Sequence, residues 1–493
     1  MISASSTTGV STSVSRPAER VGWPLLVSVL VLAAVNFLWQ LGSSSLFEDE
    51  VLSWHPAVLS LHGLYENIKA GELAPPGYYF LLHEWIGQVH SQREWVMRLP
   101  SVLAGVALVA AVYWLATLVA DRGTALLAAF GAALSPMVLG FAQEARAYIF
   151  AVLLVTVGVA ALLEARRRSG GWPRMLWLIA AAAASVGAFW MHYTADLVLA
   201  PALIWFVWRP GASTRGRIVL PAVCAVADLV LAPLLVHQLG RGNQAGIAAS
   251  ATLTFDHAAA VIAAPFSGRV ISVSAWVLIG ALVVLVTLAI SALRVRSPRF
   301  RLLGEIVLPA AVIPIVALFA ITIFSSSPVL LARYASVAAP FLLILIAFAI
   351  LHESRLVGVP VAIAALIAGI GETAHTHSDS GAYPNTRAAI ANIAAKGHPG
   401  DFILAGGYPA LPGALDYYLG RDELGLPVIY PNRTSTLLPA LVHGHHRMWL
   451  LSSAQNLPAH AIAHTLGSLG YRASELDHYP GSPPLGLVLA VPR

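Results

Sequence analysis

Lysine and cysteine are almost missing from this chain of 493 residues, which has Lys69 and Lys396 as its lysines and Cys224 as its single thiol. One thiol closes no disulfide framework and builds no thiolate metal cluster. Charge is scarce as well: charged residues make up 11% of the chain against 58% hydrophobic, where a soluble domain carries about 25%. That balance excludes a soluble multidomain protein, so lipid must solvate most of the chain. The formal charge of +5 does not indicate nucleic acid, because the arginines sit in short loops between apolar runs and form no stripe. Their dominance over lysine is a compositional trait of high-GC bacterial genomes. No internal repeat is evident, and Ala405-Gly406-Gly407 is too loose for a dinucleotide-binding loop.

What is present is a series of apolar runs, each long enough to cross about 30 Å of hydrocarbon. They cover Val21 to Leu41, Met97 to Ala120, Thr124 to Gly140, Ala147 to Leu163, Met175 to Trp190 and Ala195 to Trp208. Further along, Ile218 to Leu239, Ile271 to Leu293, Leu302 to Phe324, Ala335 to Leu351 and Val357 to Gly371 complete about eleven spans. No small-residue cleavage site follows the first, which reads as an uncleaved anchor.

Arginines near helix ends are retained in the cytoplasm, and alternate loops here are basic. One set holds Arg16 and Arg20, Arg122, Arg166 to Arg168 with Arg174, Arg209 with Arg215 and Arg217, Arg294 to Arg301, and Arg355. The other set is nearly bare. The N-terminus is therefore expected inside and the tail outside, in a bacterial plasma membrane. Residues 1–20 form a cytoplasmic tail, 21–372 a membrane core with a first outer loop at 42–96, and 373–493 an extracytoplasmic domain. The outer loop is expected to lie along the membrane surface as short amphipathic helices. In the tail the rhythm changes. Thr386 to Lys396 and Leu411 to Leu419 read as helices, and Asp401 to Gly406, Arg447 to Ser453 and Leu485 to Val491 as strands, a small α/β unit.

Ionisable groups at membrane depth are costly and mark pathways or sites. Here they gather at the outer helix ends: Glu48-Asp49-Glu50, Tyr78-Tyr79, Arg98, Glu144, Arg146, Tyr148, His192-Tyr193 and Arg333-Tyr334. Each has an ordinary reading alone. The acidic triplet could be a solvated turn, Arg146 and Arg333 snorkelling interfacial residues, and His192 a satisfied histidine at a helix end. Asp228 could be a packed polar contact, Glu305 falls near a cytoplasmic end, and His375, His377, His443, His445 and His446 have no carboxylate or cysteine at ligand spacing. Taken together, outer loops meeting over one cavity would surround it with carboxylates, arginines, tyrosines and a histidine.

In this order, the segments LFEDE, APPGYYFLLHEW, REWVMRLPSVLAG, LSPMVLGFAQEARAY, WMHYTAD and VLLARYASVAAP resemble the GT-C superfamily of membrane glycosyltransferases, which use polyprenyl-phosphate-linked sugars. The likeness extends over about residues 21 to 351 and is strongest to the bacterial branch of protein O-mannosyltransferases and aminoarabinose transferases. It implies a polytopic α-helical GT-C fold and an inverting sugar transfer. Asp49 would be the catalytic residue, with Glu50 its nearest rival. Arg146 and Arg333 would hold the donor phosphate, helped by Tyr148, Tyr334 and His192. Glu48, Tyr78, Tyr79, Arg98, Glu144 and Tyr193 would line the substrate pocket, with Glu144 orienting Arg146. Some members use a divalent cation, which Glu48, Asp49 and Glu50 could ligate as Mg²⁺ or Mn²⁺. The expected partners are a lipid-linked sugar, a glycan, lipid or protein acceptor, and the bilayer. Ala74 stands where the aminoarabinose transferases have a lysine, which disfavours lipid A as acceptor. The rival readings are a flippase of lipid-linked sugars, which would carry polar groups at the bilayer midplane on broken helices, and an inactive envelope-binding scaffold.

Overall fold

The computed structural model describes residues 17–71, 74–209, 214–240, 300–324, 329–352, 384–406, 411–421, 425–429, 447–453, 466–468, 470–480 and 484–493, with a few isolated positions between them. Helix α1 spans Pro17–Leu38, followed by three short helices, α2 (Glu48–Ala57), α3 (Leu61–Ala70) and α4 (Gly77–Val89). The bundle continues with α5 (Glu94–Val119), α6 (Arg122–Ala133), α7 (Pro136–Ala142), α8 (Tyr148–Arg167), α9 (Gly171–Met191), α10 (Asp196–Trp208) and α11 (Thr214–Gly240). A π-helical turn at Leu303–Val307 leads into α12 (Leu308–Phe324), and a 3₁₀ turn at Ala332–Ala338 leads into α13 (Ala339–His352).

Among the described residues six helices are long and apolar enough to cross a membrane, or seven if the bent pair α6 and α7 is one span. The stretches Trp23–Leu38 within α1 and Tyr193–Trp208 leading through α10 are apolar but shorter. The runs expected at 271–293 and 357–371 lie outside the described residues. The protein is a multi-pass membrane protein. Leu25, Val27, Val31 and Val35 of α1 and Val223, Val226, Leu229 and Val230 of α11 are exposed, as lipid-facing side chains must be. Inside, small and branched residues of α5, α6, α8 and α13 form one apolar core.

Two local features shape the end of the bundle where α2 to α4 lie. Between α6 and α7, Pro136 drives Ser135 into an extended conformation (φ −67°, ψ 124°) and Ser135 caps α7 through the Val138 N–H. The result is a 55° bend, and the chain leaving α7 delivers residues 143 to 147 into the bundle end. At the start of α4, a Cβ on Gly77 would lie 2.5 Å from the Trp190 carbonyl oxygen. The Pro75-Pro76-Gly77 turn can therefore sit directly on the backbone of α9, where any larger residue would push it away.

The C-terminal stretch has helices α14 (Thr386–Lys396) and α15 (Leu411–Arg421) and a five-stranded sheet of order β2-β1-β3-β5-β4. Its strands are β1 (Phe402–Gly406), β2 (Val428–Ile429), β3 (Met448–Ser453), β4 (Tyr471–Tyr479) and β5 (Leu485–Pro492). β1 runs parallel to β2 and β3, while β5 is antiparallel to both β3 and β4. This sheet shares its core with the outer-loop helices: Leu46, Val51, Trp54, Tyr78 and Met97 pack with Ile390, Leu415, Tyr418, Trp449 and Leu487. A Cβ on Gly413 would meet Val51 Cγ1 at 2.5 Å, so α15 rests on α2 without a spacer.

Candidate active site

The acidic triplet opens α2. Glu50, at the third helical position, accepts from the Phe47 N–H at 3.3 Å in the manner of a capping box. It also accepts from the Ala145 N–H at 2.9 Å and from Arg98 Nε and Nη2 at 2.8 and 2.7 Å. A carboxylate offers about four lone-pair sites, and all four are filled. Arg98 is 1% exposed and spends its remaining donors on the carbonyls of Leu41, Ser44 and Ser45. Both residues, expected at the reacting centre, instead pin the loop 41–47. Glu50 has no free oxygen for a proton or a cation, and Arg98 faces no open space.

Asp49 is different. Its Oδ2 receives Arg333 Nη1 at 2.5 Å, and Arg146 Nη1 donates to its main-chain carbonyl at 3.0 Å and to Ser53 Oγ at 3.2 Å. The residue sits in the first turn of α2, at the positive end of the helix dipole. Arg333 comes from the 3₁₀ turn and Arg146 from the loop after α7, so three distant segments converge on one carboxylate. Arg333 Nε is buried and has no hydrogen-bond partner among the described residues.

Beside this cluster lies a narrow cleft lined by Ala74, Pro75, Tyr78, Tyr79, Arg146, Ala147, Tyr148, Met191, His192 and Tyr334. Tyr148, His192 and Tyr334 form an aromatic file with centroids 5.3 and 5.2 Å apart. Arg146 lies 5.7 Å from the Tyr148 ring centre and Arg333 5.9 Å from that of Tyr334. His192 Nδ1 accepts from the Thr194 N–H, which puts the ring proton on Nε2. Burial, with Arg146 and Arg333 nearby, pushes the imidazole pKa down to about 3; the ring is a neutral donor. Glu144 is buried, and burial together with the charges of Glu50 and Asp49 raises its pKa well above the usual carboxylate range.

Tyr193 does not line the cleft. It donates to Gln238 Oε1 at 3.2 Å, and Gln238 in turn donates to the carbonyls of Ile68 and Ala74 at 3.1 and 3.0 Å. Sequence reasoning missed Gln238, a single amide in an apolar helix; its isolation within α11 was the available signal. The Glu48 side chain and the histidines at 375, 377, 443, 445 and 446 lie outside the described residues. Among the described residues no three metal-binding side chains converge, and of the triplet's two described side chains Glu50 is engaged within the protein and Asp49 is paired with Arg333.

Residues 74–237 match the family described as dolichyl-phosphate-mannose-protein mannosyltransferase. No curated protein matches the chain. In structure the chain is similar to ArnT from Cupriavidus metallidurans bound to undecaprenyl phosphate, with TM-score 0.58, 16% identity, and 96% and 98% of the two chains covered. It is also similar to the archaeal oligosaccharyltransferase AglB from Archaeoglobus fulgidus in complex with an inhibitory peptide and a dolichol-phosphate, with TM-score 0.52, 13% identity and coverage of 97% and 76%. The chain shares the fold of these two proteins. The family match contains Arg146, Tyr148 and His192, whereas Asp49 and Arg333 lie on either side of it in sequence and meet it only through folding.

Proposed function

We propose that this chain is an inverting glycosyltransferase that moves a sugar, mannose or another hexose or pentose, from a polyprenyl-phosphate donor to a cell-envelope acceptor on the outer face of a bacterial plasma membrane. The isoprenoid tail stays in lipid while phosphate and sugar enter the cleft. Asp49 Oδ1 takes the proton of an acceptor hydroxyl as that oxygen attacks the anomeric carbon; a positioned base of this kind contributes about 10²–10⁴-fold. The bond from the anomeric carbon to the phosphate oxygen breaks, and its electron pair stays on the lipid phosphate. Arg333 and Arg146 are fixed cations for that growing charge, and the planar guanidinium suits a phosphate's paired oxygens. Tyr148, Tyr334 and neutral His192 supply further donors, while Glu50 and Arg98 position the loop and touch neither substrate.

The observation that carries this reading is the Asp49–Arg333 pair at 2.5 Å, at the edge of a cleft bearing a second arginine. Ala74 lies in the cleft wall, so no cation stands there for a phosphorylated lipid acceptor. Mass spectrometry of envelope glycans and lipid-linked sugars in a deletion strain tests the proposal. The lipid-linked donor should accumulate while one glycan loses a sugar; a strain unchanged in both would refute it.

A further inference from the structure

Gln238 is a buried amide, 3% exposed, in the last turn of the largely apolar helix α11. A side chain of this kind is costly to bury unless its hydrogen bonds are made. Nε2 spends both of its protons on main-chain carbonyls, that of Ile68 at 3.1 Å and that of Ala74 at 3.0 Å, and Oε1 accepts from Tyr193 Oη at 3.2 Å. Carbonyls only accept, so the two of them also fix which way round the amide lies. One side chain of α11 thereby ties together the last turn of α3, the residue before the Pro75-Pro76 turn and the residue after His192.

Two of those three points adjoin the cleft, whose lining takes Ala74 and Pro75 from one segment and His192 from another. Pro75 and Pro76 have no N–H to donate, so this part of the wall depends on partners from outside. Gly77 rests on the Trp190 carbonyl, and Gln238 holds the Ala74 carbonyl. Leu234, one turn before Gln238, packs with Leu64, Ile68 and Tyr79, and Ala74 and Phe80 lie against them. Ala74 and Tyr79 therefore meet the cleft on one side and the end of α11 on the other. On the second segment, His192 stands between Tyr148 and Tyr334 in the aromatic file, so displacement of Tyr193 would carry the imidazole with it. Gln238 acts on the cleft through these walls.

We infer that Gln238 is a positioning residue that sets the spacing between the Ala74-Pro75 wall and His192, and with it the fit of a polyprenyl phosphate; this rests on the proposed lipid-linked donor. The experiment uses the full chain in lipid nanodiscs with undecaprenyl phosphate as the probe, and reads both Kd and the number of sites per chain. Gln238→Leu leaves two carbonyls and a phenol unpaired and should weaken binding about tenfold. Tyr193→Phe keeps both carbonyl bonds and should weaken it about threefold. Arg387→Ala, which frees the carbonyls of Gly42 and Ser44 on the outer loop, should bind as the parent does. In a transfer assay Gln238→Leu should raise the donor KM and leave the acceptor KM unchanged. A merely structural amide would do the reverse: fewer binding sites and a lower kcat, with Kd and donor KM at their parental values in the molecules that remain folded. Parental Kd in Gln238→Leu overturns the inference, and if that variant does not accumulate, parental Kd in Tyr193→Phe overturns it. A parent chain that binds no undecaprenyl phosphate refutes the lipid-linked donor itself, which is a different result from a parent and variants that bind equally.

Discussion

Arg333 and Arg146 look equivalent in the sequence but do different work. Arg146 gives Nη1 to the Asp49 carbonyl and to Ser53, while Arg333 pairs with the carboxylate itself and keeps Nε unpartnered among the described residues. Arg333→Ala should therefore raise the donor KM by about tenfold or more, on the scale of a charged hydrogen bond of about 1.5–3 kcal/mol, and change acceptor KM far less. His192 allows a prediction about pH. Its folded pKa of about 3 lies below the ordinary 6.5, so the unfolded chain takes up a proton first as pH falls. The stability this residue contributes is present above about pH 6.5 and is lost on acidification towards pH 3. Thermal melts from neutral to about pH 4 should show a smaller acid loss in His192→Gln than in the parent. Neither distinction was legible beforehand: sequence placed Asp49, Glu50, Arg98, Arg146 and Arg333 at one end of the bundle but could not say which carboxylate would be saturated. That depends on the Ala145 N–H and the loop carbonyls, which are backbone groups with no sequence signature.

Elements were more legible than contacts. Apolar runs located α5, α8, α9, α11 and the spans ending in α12 and α13, because about twenty apolar residues have few alternatives to a membrane helix. The third run, Thr124 to Gly140, has the length of a single helix, yet Ser135-Pro136 splits it into α6 and α7, as proline inside an apolar run can. In the C-terminal unit the strands rich in Leu, Val and Trp were found. β2 was missed because two residues carry no periodicity. β4 was missed because it is a polar edge strand whose register shifts between Ala473 and Glu475, which breaks the alternation that betrays a strand. The outer loop forms three short helices as expected, held by the buried Arg98–Glu50 pair. Removing one partner of such a pair costs about 3–5 kcal/mol, because the other charge is left unpaired. Arg98→Met should lower the melting temperature markedly, and Arg98→Met with Glu50→Gln should recover part of the loss, a coupling that a double-mutant cycle reads directly.

Across the whole molecule, the sheet unit and the membrane bundle are joined through the same loop. Arg387 of α14 donates to the carbonyls of Gly42 and Ser44 at 3.0 and 2.7 Å and pairs with Glu94 at 3.1 Å. Tyr418 Oη accepts from the Leu46 N–H at 2.8 Å. One arginine from the bundle and one from the C-terminal unit thus clamp the segment that leads into Asp49. Arg387→Ala should speed proteolysis within residues 42–47 and reduce kcat more than it affects either KM; its partly exposed pair limits the stability loss to about 1 kcal/mol. At the far end of the bundle, Glu305 pairs with Arg209 and Arg301, and Asp121 meets His352 at 2.6 Å. The molecule therefore has an arginine-rich end remote from the cleft, the asymmetry from which orientation was read. The most direct measurement of the central claim is transfer of radiolabel from a polyprenyl-phosphate sugar into envelope material by membranes containing Asp49→Asn at parental abundance. The account predicts that transfer disappears, and transfer at the parental rate would contradict it.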